Sequence, residues 1–168
     1  ANTSAPDSFT YAFADGSRAT ATVTINGIDN AADELWGDAT NNNITGTTGY
    51  DFFRLTQGGN DTANGQDGDD DFILDATFTA LDSINGSTGF DDLFLTGNYS
   101  LAVVFGVSTL TNVERIVLGA GFSYNLVSND ATIVGAGNLI VDGSALTSPG
   151  TLTFDGSAET GGTFQLLG

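Results

Sequence analysis

"GQDGDDDFILD", residues 65–75, sets five acidic side chains among eleven positions and then runs directly into Phe72, Ile73 and Leu74. Like charges at such spacing repel one another. Either the acids form a solvated loop with no duty, or something positive sits among them. The same arrangement recurs on both sides. "GTTGYDFFR" (46–54) and "GSTGFDDLF" (86–94) are clear copies, while "GDATNNNIT" (37–45), "TQGGNDTAN" (56–64) and a tail at Asp82-Ser83-Ile84 are weaker ones. Laid out on nine-residue units, the sixth positions are Asn42, Asp51, Asp61, Asp70, Asp82 and Asp91. The eighth positions are Ile44, Phe53, Ala63, Phe72, Ile84 and Leu93. A glycine turn, an acid and an inward apolar residue that recur together form one structural unit repeated, so the expected fold is all-β, a parallel β-roll or β-helix solenoid.

A nonapeptide with two early glycines, an acid at position six and an apolar residue at position eight is a calcium-binding parallel β-helix pattern. The segment from Trp36 to Leu95 resembles the RTX calcium-binding repeats of large secreted bacterial surface proteins, of the surface-layer and adhesin type. That resemblance implies two nonapeptides per coil. One edge would then stack Asn42, Asp61 and Asp82, and the other Asp51, Asp70 and Asp91. It implies Ca²⁺ as the cofactor, about two to four ions. These would be held by Asp51, Asp61, Asp70, Asp82, Asp91 and Asn42 with backbone carbonyls near Gly46, Gly49, Gly65, Gly68, Gly86 and Gly89. Ca²⁺ takes six to eight oxygen ligands, and successive glycines let carbonyls converge on it. Without the ion, stacked carboxylates repel, so binding and folding should be one event. The competing reading is ordinary Asp and Gly turns between short strands. The departures from the pattern are Thr47, Gln66 and Ser87 at the second glycine, Asn42 for an acid, a small Ala63, and three residues inserted before Asp82. In the run Asp69-Asp70-Asp71, register selects Asp70 as the ligand, sends Asp71 with the strand, and leaves Asp67 and Asp69 solvated.

Composition narrows the chemistry. The 168 residues carry 21 acids against Arg18, Arg54 and Arg115, a net charge of −18, which disfavours nucleic acid and anionic membranes and favours cations. There is no Cys, His, Lys or Met. That excludes a disulfide scaffold and a thiolate or imidazole metal site, and it removes the usual general base. The chain is therefore not expected to be an enzyme, and no catalytic residue or organic cofactor site is assigned. No apolar run is long enough to span a bilayer. The chain opens on Ala1 with no signal segment before it, so it is expected to be a processed product or an excerpt of a longer chain.

Three regions are expected: a β-hairpin and linker (1–34), the RTX-like roll (35–97) and an irregular β-solenoid continuation (98–168). Residues 8–14 and 18–26 alternate at period two around Asp15-Gly16-Ser17, a hairpin turn. A hairpin alone is marginal in water, so this one is expected to dock in cis or in trans. Its wording resembles the last strands of cadherin-like repeats in bacterial surface proteins. Beyond Asn98 short strands are expected at 101–105, 113–119, 123–127, 131–135, 138–146, 152–159 and 163–168. "VDGSAL" and "FDGSAE" recur 13 residues apart, as coils of a looser solenoid would. This segment resembles the region after RTX blocks. Glu114 and Arg115 adjoin on a strand, face opposite sides, and are read as surface charge.

The leading expectation is a calcium-stabilised structural or interaction module of a secreted bacterial surface protein, extracellular or on the cell surface. It would fold on Ca²⁺ outside the cell and assemble end to end. Its expected partners are Ca²⁺, copies of itself or neighbouring modules, and cell-surface polysaccharide. The alternative is a calcium-dependent polysaccharide-binding module accessory to an extracellular enzyme. Trp36, Tyr50, Tyr99 and Tyr124 are the aromatic candidates for a sugar platform, and three Arg in the whole chain argue against an acidic-glycan groove.

Overall fold

The structure, a computed structural model, describes residues 4–12, 18–26 and 32–168. It contains two compact units, Ala1–Asn30 and Ala31–Gly168. In the first, β1 (Ser4–Ala12) pairs antiparallel with β2 (Arg18–Asn26), in register from Ser4 opposite Asn26 to Ala12 opposite Arg18. The turn expected at Asp15-Gly16-Ser17 lies outside the described residues.

The second unit is a parallel β-solenoid. Its strands are β3 (Asp33–Trp36), β4 (Asn43–Thr45), β5 (Asp51–Arg54), β6 (Thr62–Asn64), β7 (Asp71–Ile73), β8 (Ser83–Asn85) and β9 (Asp92–Leu95). They continue with β10 (Tyr99–Val104), β11 (Leu110–Thr111), β12 (Arg115–Leu118), β13 (Tyr124–Val127), β14 (Asn138–Asp142), β15 (Leu152–Asp155) and β16 (Thr163–Leu167). One seven-stranded sheet runs β16-β14-β12-β9-β7-β5-β3. A four-stranded sheet, β11-β8-β6-β4, and a three-stranded sheet, β10-β13-β15, complete the coils. The wide sheet is continuous from Asp33 to Leu167, so the repeat block and the segment after it share one solenoid. Asp33 and Glu34, read from sequence as linker, already belong to β3.

Alternation within each short strand puts one residue inside and the next outside. Phe53, Phe72, Leu93 and Ile116 stand in register on the inner face of the wide sheet and are completely buried. Ile44, Ala63, Ile84 and Leu110 stand in register opposite. The Phe53 and Phe72 rings stack at 4.6 Å between centroids. The small Ala63 occupies the intervening strand of the same coils, so large and small residues complement one another across the interior. Burying one such ring contributes roughly 2–3 kcal/mol. The eighth-position residues of the nonapeptides are thus the core, in the register the repeat predicts.

In the continuation, one expected strand is absent. Residues 131–135 form a turn, because Asn129 binds back on the chain: its Oδ1 accepts Ala131 N–H at 3.0 Å, its carbonyl accepts Thr132 N–H at 3.0 Å, and Thr132 Oγ1 accepts Asn129 N–H at 3.1 Å. These local bonds satisfy the backbone without a sheet. The two "DGS" copies are equivalent turns closing β14 and β15. Asp142 Oδ1 accepts Ser144 N–H at 3.0 Å and Asp155 Oδ1 accepts Ser157 N–H at 2.9 Å. Because β14 and β15 lie in different sheets, the 13-residue spacing marks half a coil.

Candidate metal centre

Five acids of the repeats, Asp51, Asp61, Asp70, Asp82 and Asp91, are buried at 0–2% exposure although they lie at turns between short strands. Asp51 opens its strand, and the other four stand at the end of a turn immediately before theirs. They stack along two edges. On one edge, Asn42 N–H donates to Asp61 Oδ1 (2.9 Å) and Asp61 N–H donates to Asp82 Oδ1 (2.7 Å). On the other, Asp51 N–H donates to Asp70 Oδ1 (2.8 Å) and Asp70 N–H donates to Asp91 Oδ1 (2.8 Å). Both edges therefore bring together the residues that two nonapeptides per coil would pair. Asp61, Asp70, Asp82 and Asp91 each use one oxygen to satisfy the backbone of the coil before them, whereas Asp51 accepts only from Thr47 of its own turn.

The second oxygen separates two kinds of turn. In the closed kind, the turn's own N–H bonds the acid at its end: Thr47 N–H reaches Asp51 Oδ2 at 2.6 Å, Thr79 N–H reaches Asp82 Oδ2 at 2.7 Å, and Asp38 N–H reaches Asn42 Oδ1 at 2.7 Å. In the open kind, at 65–70 and 86–91, Gln66 and Ser87 take left-handed backbone (φ 80° and 76°). Their N–H groups point instead at Asn64 Oδ1 (3.1 Å) and Asn85 Oδ1 (3.2 Å). Asp70 Oδ2 and Asp91 Oδ2 are then buried with no hydrogen-bond donor. The distinction has a sequence signal that pattern matching overlooked. The second-glycine position holds Thr47 in the closed turn, and a β-branched residue disfavours left-handed backbone.

The orphaned oxygens face carbonyls. A Cβ on Gly65 would overlap Asp70 Oδ2 and lie 2.7 Å from the Gly86 carbonyl oxygen, and a Cβ on Gly86 would overlap both Asp91 Oδ2 and the Asn112 carbonyl oxygen. Carboxylate and carbonyl oxygens thus converge around a glycine that has no side chain to keep them apart. Gly46 is crowded in the same way by Asp51 Oδ2 and the Gly65 carbonyl, each at 2.5 Å from a Cβ position. The Gly49 carbonyl faces Gly68 and the Gly68 carbonyl faces Gly89 in the next coil. Gly86→Ala is therefore expected to destabilise the fold by at least about 2 kcal/mol, since the neighbouring atoms include backbone that cannot swing aside. Denaturant unfolding of the variant beside its parent measures this loss.

Electrostatics follow the same asymmetry. Burial pushes the Asp70 carboxyl up to about 6, with the Asp51, Asp69 and Asp71 charges adding to it. Burial pushes Asp91 up to about 7, with Asp70 and Glu114 adding. Asp61 is also raised, by burial first and by Asp82. Two close oxygens with no proton between them and no donor nearby favour a proton or a cation. A hard cation fits this donor set. Among the described residues no three acids gather closely enough to hold an ion by themselves, so an ion here would draw most of its ligands from backbone carbonyls.

The remaining candidates sort clearly. Asp71 points outward with its strand and accepts from the Tyr50 hydroxyl, while Asp67 and Asp69 are exposed, bonding Thr88 Oγ1 and Phe90 N–H. Arg115 is outward, forked on Asp92. Glu114, read from sequence as surface charge, turns inward, and its Oε2 accepts Asp91 N–H at 2.8 Å. Tyr99 and Tyr124 are core residues, stacked at 5.8 Å, so of the four sugar-platform candidates Trp36 and Tyr50 are the exposed ones. Comparison with family models, with curated proteins and with solved structures finds no match to this chain. No helix among the described residues is long and apolar enough to cross a membrane.

Proposed function

We propose that this chain is a calcium-closed structural module of a secreted bacterial surface protein, and not an enzyme. One observation carries the reading: in the two open turns, Asp70 Oδ2 and Asp91 Oδ2 are buried without a donor beside the Gly86 and Asn112 carbonyls. Bound there, Ca²⁺ would supply the positive charge that these oxygens lack, linking one coil to the next. The acids would be held by the same backbone bonds that stack them now. At about millimolar Ca²⁺ outside the cell, sites of extracellular affinity fill; in the cytosol they would not, leaving the solenoid less stable and the chain more readily exported. The sheet edges of β3 and β16, which no described strand pairs, suit addition of a further module or another copy.

Far-UV circular dichroism during a Ca²⁺ titration, with Mg²⁺ as control and light scattering in parallel, tests the proposal. A Ca²⁺-selective gain of β signal is expected, with scattering rising as well where modules associate. Protein whose spectrum and melting ignore both Ca²⁺ and chelator would remove the calcium role.

A second reading has an observation of its own. Trp36, Phe52 and Arg54 cluster on the outer face of the wide sheet, with the Arg54 guanidinium 5.2 Å and 4.5 Å from the two ring centroids, and Arg115 lies 5.6 Å from that of Phe90. Such a face suits polysaccharide. Binding on a glycan array would support it.

A further inference from the structure

The acid ladder does not stop where the nonapeptides do. Thr111 stands in register with Asn85, and Arg115 with Asp92, so Asn112 follows its strand as Gly86 does and Glu114 precedes its strand as Asp91 does. Six residues, 86–91, connect the first pair of strands, and three, 112–114, connect the second. The glycine turn is absent here, yet both of its ends keep a counterpart. Asn112 is left-handed at φ 49°, as Gln66 and Ser87 are in the open turns. Its Nδ2 donates to Asn85 Oδ1 at 2.8 Å, in a column where Ser87 Oγ donates to Asn64 Oδ1 at 2.9 Å. Its carbonyl oxygen meets Asp91 Oδ2 at the Gly86 cradle, the place that the Gly86 carbonyl takes one coil earlier. Glu114 Oε2 accepts the Asp91 N–H, as Asp91 Oδ1 accepts that of Asp70. A glutamate, one methylene longer than aspartate, reaches this position from a loop three residues shorter.

The other edge ends differently. Asp82 has donors on its second oxygen from Thr79 N–H and Oγ1, and the next buried polar residue above it, Thr109, is neutral. Only the Asp51, Asp70, Asp91 edge continues into a further acid. Beside Glu114 a cavity of about 90 Å³, with Asn112, Thr132 and Asn138 in its wall, leaves room for water or an ion to enter.

We infer that Asp91, the Asn112 carbonyl and Glu114 form a terminal Ca²⁺ site, completed by residues outside the nonapeptide repeats. This rests on the calcium reading above and adds the last ligand set of the ladder. It gives Glu114 a reason that a surface charge lacks, since a neutral side chain would end the ladder as Thr109 ends the other.

The test is isothermal titration of the whole chain with Ca²⁺, parent beside Glu114→Gln, with circular dichroism in chelator as a check on folding. The amide oxygen of Gln can still accept the Asp91 N–H, so the fold is retained while the charge is lost. The expected result is one fewer ion bound per chain, or one site weakened at least tenfold, with the chelated spectrum unchanged. Asp61→Asn, on the opposite edge, is expected to leave that site intact. Parent-like stoichiometry and affinity in Glu114→Gln would overturn the terminal site alone. A parent that binds no Ca²⁺ would overturn the calcium reading and this site together. If Glu114→Gln fails to fold, Tb³⁺ luminescence of the parent decides by hydration of the bound ions. A subset of ions with fewer coordinated waters that is lost in Glu114→Asp supports the site, and its persistence there overturns it.

Discussion

Asp91→Asn is expected to stabilise the chelated protein at pH 8 and to weaken its response to calcium. In the folded chain burial raises the Asp91 carboxyl to about 7 from an ordinary 3.8, so between about pH 4 and pH 7 the folded state holds a proton that the unfolded state has released. Folding stability without calcium therefore falls as pH rises through that window, and it is lowest above pH 7 where the charge is fully present. The amide removes the charge. Its oxygen can accept the Asp70 N–H as Asp91 Oδ1 does, and its NH₂ can donate toward the Asn112 carbonyl beside which the second oxygen now lies unpaired. The gain at pH 8 should be about 2 kcal/mol, below the full value of the shift because the site relaxes. Asp70→Asn should act in the same direction and more weakly, its carboxyl standing at about 6. In millimolar Ca²⁺ the order reverses, and the parent becomes the more stable. Thermal melts of both proteins at pH 5 and pH 8, in chelator and in Ca²⁺, measure all four values. Equal pH dependence in parent and variant would dismiss the orphaned oxygen as the source.

Phe72→Ala is expected to cost about 4 kcal/mol, enough to leave the chelated solenoid largely unfolded. Phe72 has no exposed surface, stacks on Phe53, and stands between Phe53 and Leu93 in the inner row of the wide sheet. A coil this narrow has no second layer of side chains to collapse into the void. By contrast Phe52, on the outer face of the same sheet, should lose under about 1 kcal/mol on the same substitution. Urea unfolding of the two variants gives the comparison, and similar losses for both would contradict the inner and outer assignment.

Much of this was legible in the residues themselves. The coupling of acid and apolar positions at fixed spacing determined an all-β solenoid and the identity of its inner row. Which acids stack followed from the two nonapeptides per coil that the resemblance to RTX repeats implied. Asp70 over Asp71 as the buried acid follows from the period-two alternation of a strand. Four things were decided only by tertiary structure. Whether a carboxylate is satisfied depends on the backbone conformation of one residue in its turn, so Asp51 and Asp91 share a repeat position and differ in the fold, with Thr47 against Ser87 the one trace of it in the sequence. Residues 131–135 have strand-forming composition, but local bonds from Asn129 and Thr132 close them into a turn. The wide sheet runs unbroken into the segment after the repeats, through coils whose spacing is too irregular to align by eye. Glu114 replaces an aspartate from a loop three residues shorter, and a spacing-based reading is blind to that exchange. Short-range periodicity is written in the chain, whereas the stacking donor to one oxygen comes from the neighbouring coil 19–21 residues away, and the donor to the other depends on the backbone conformation its own turn adopts.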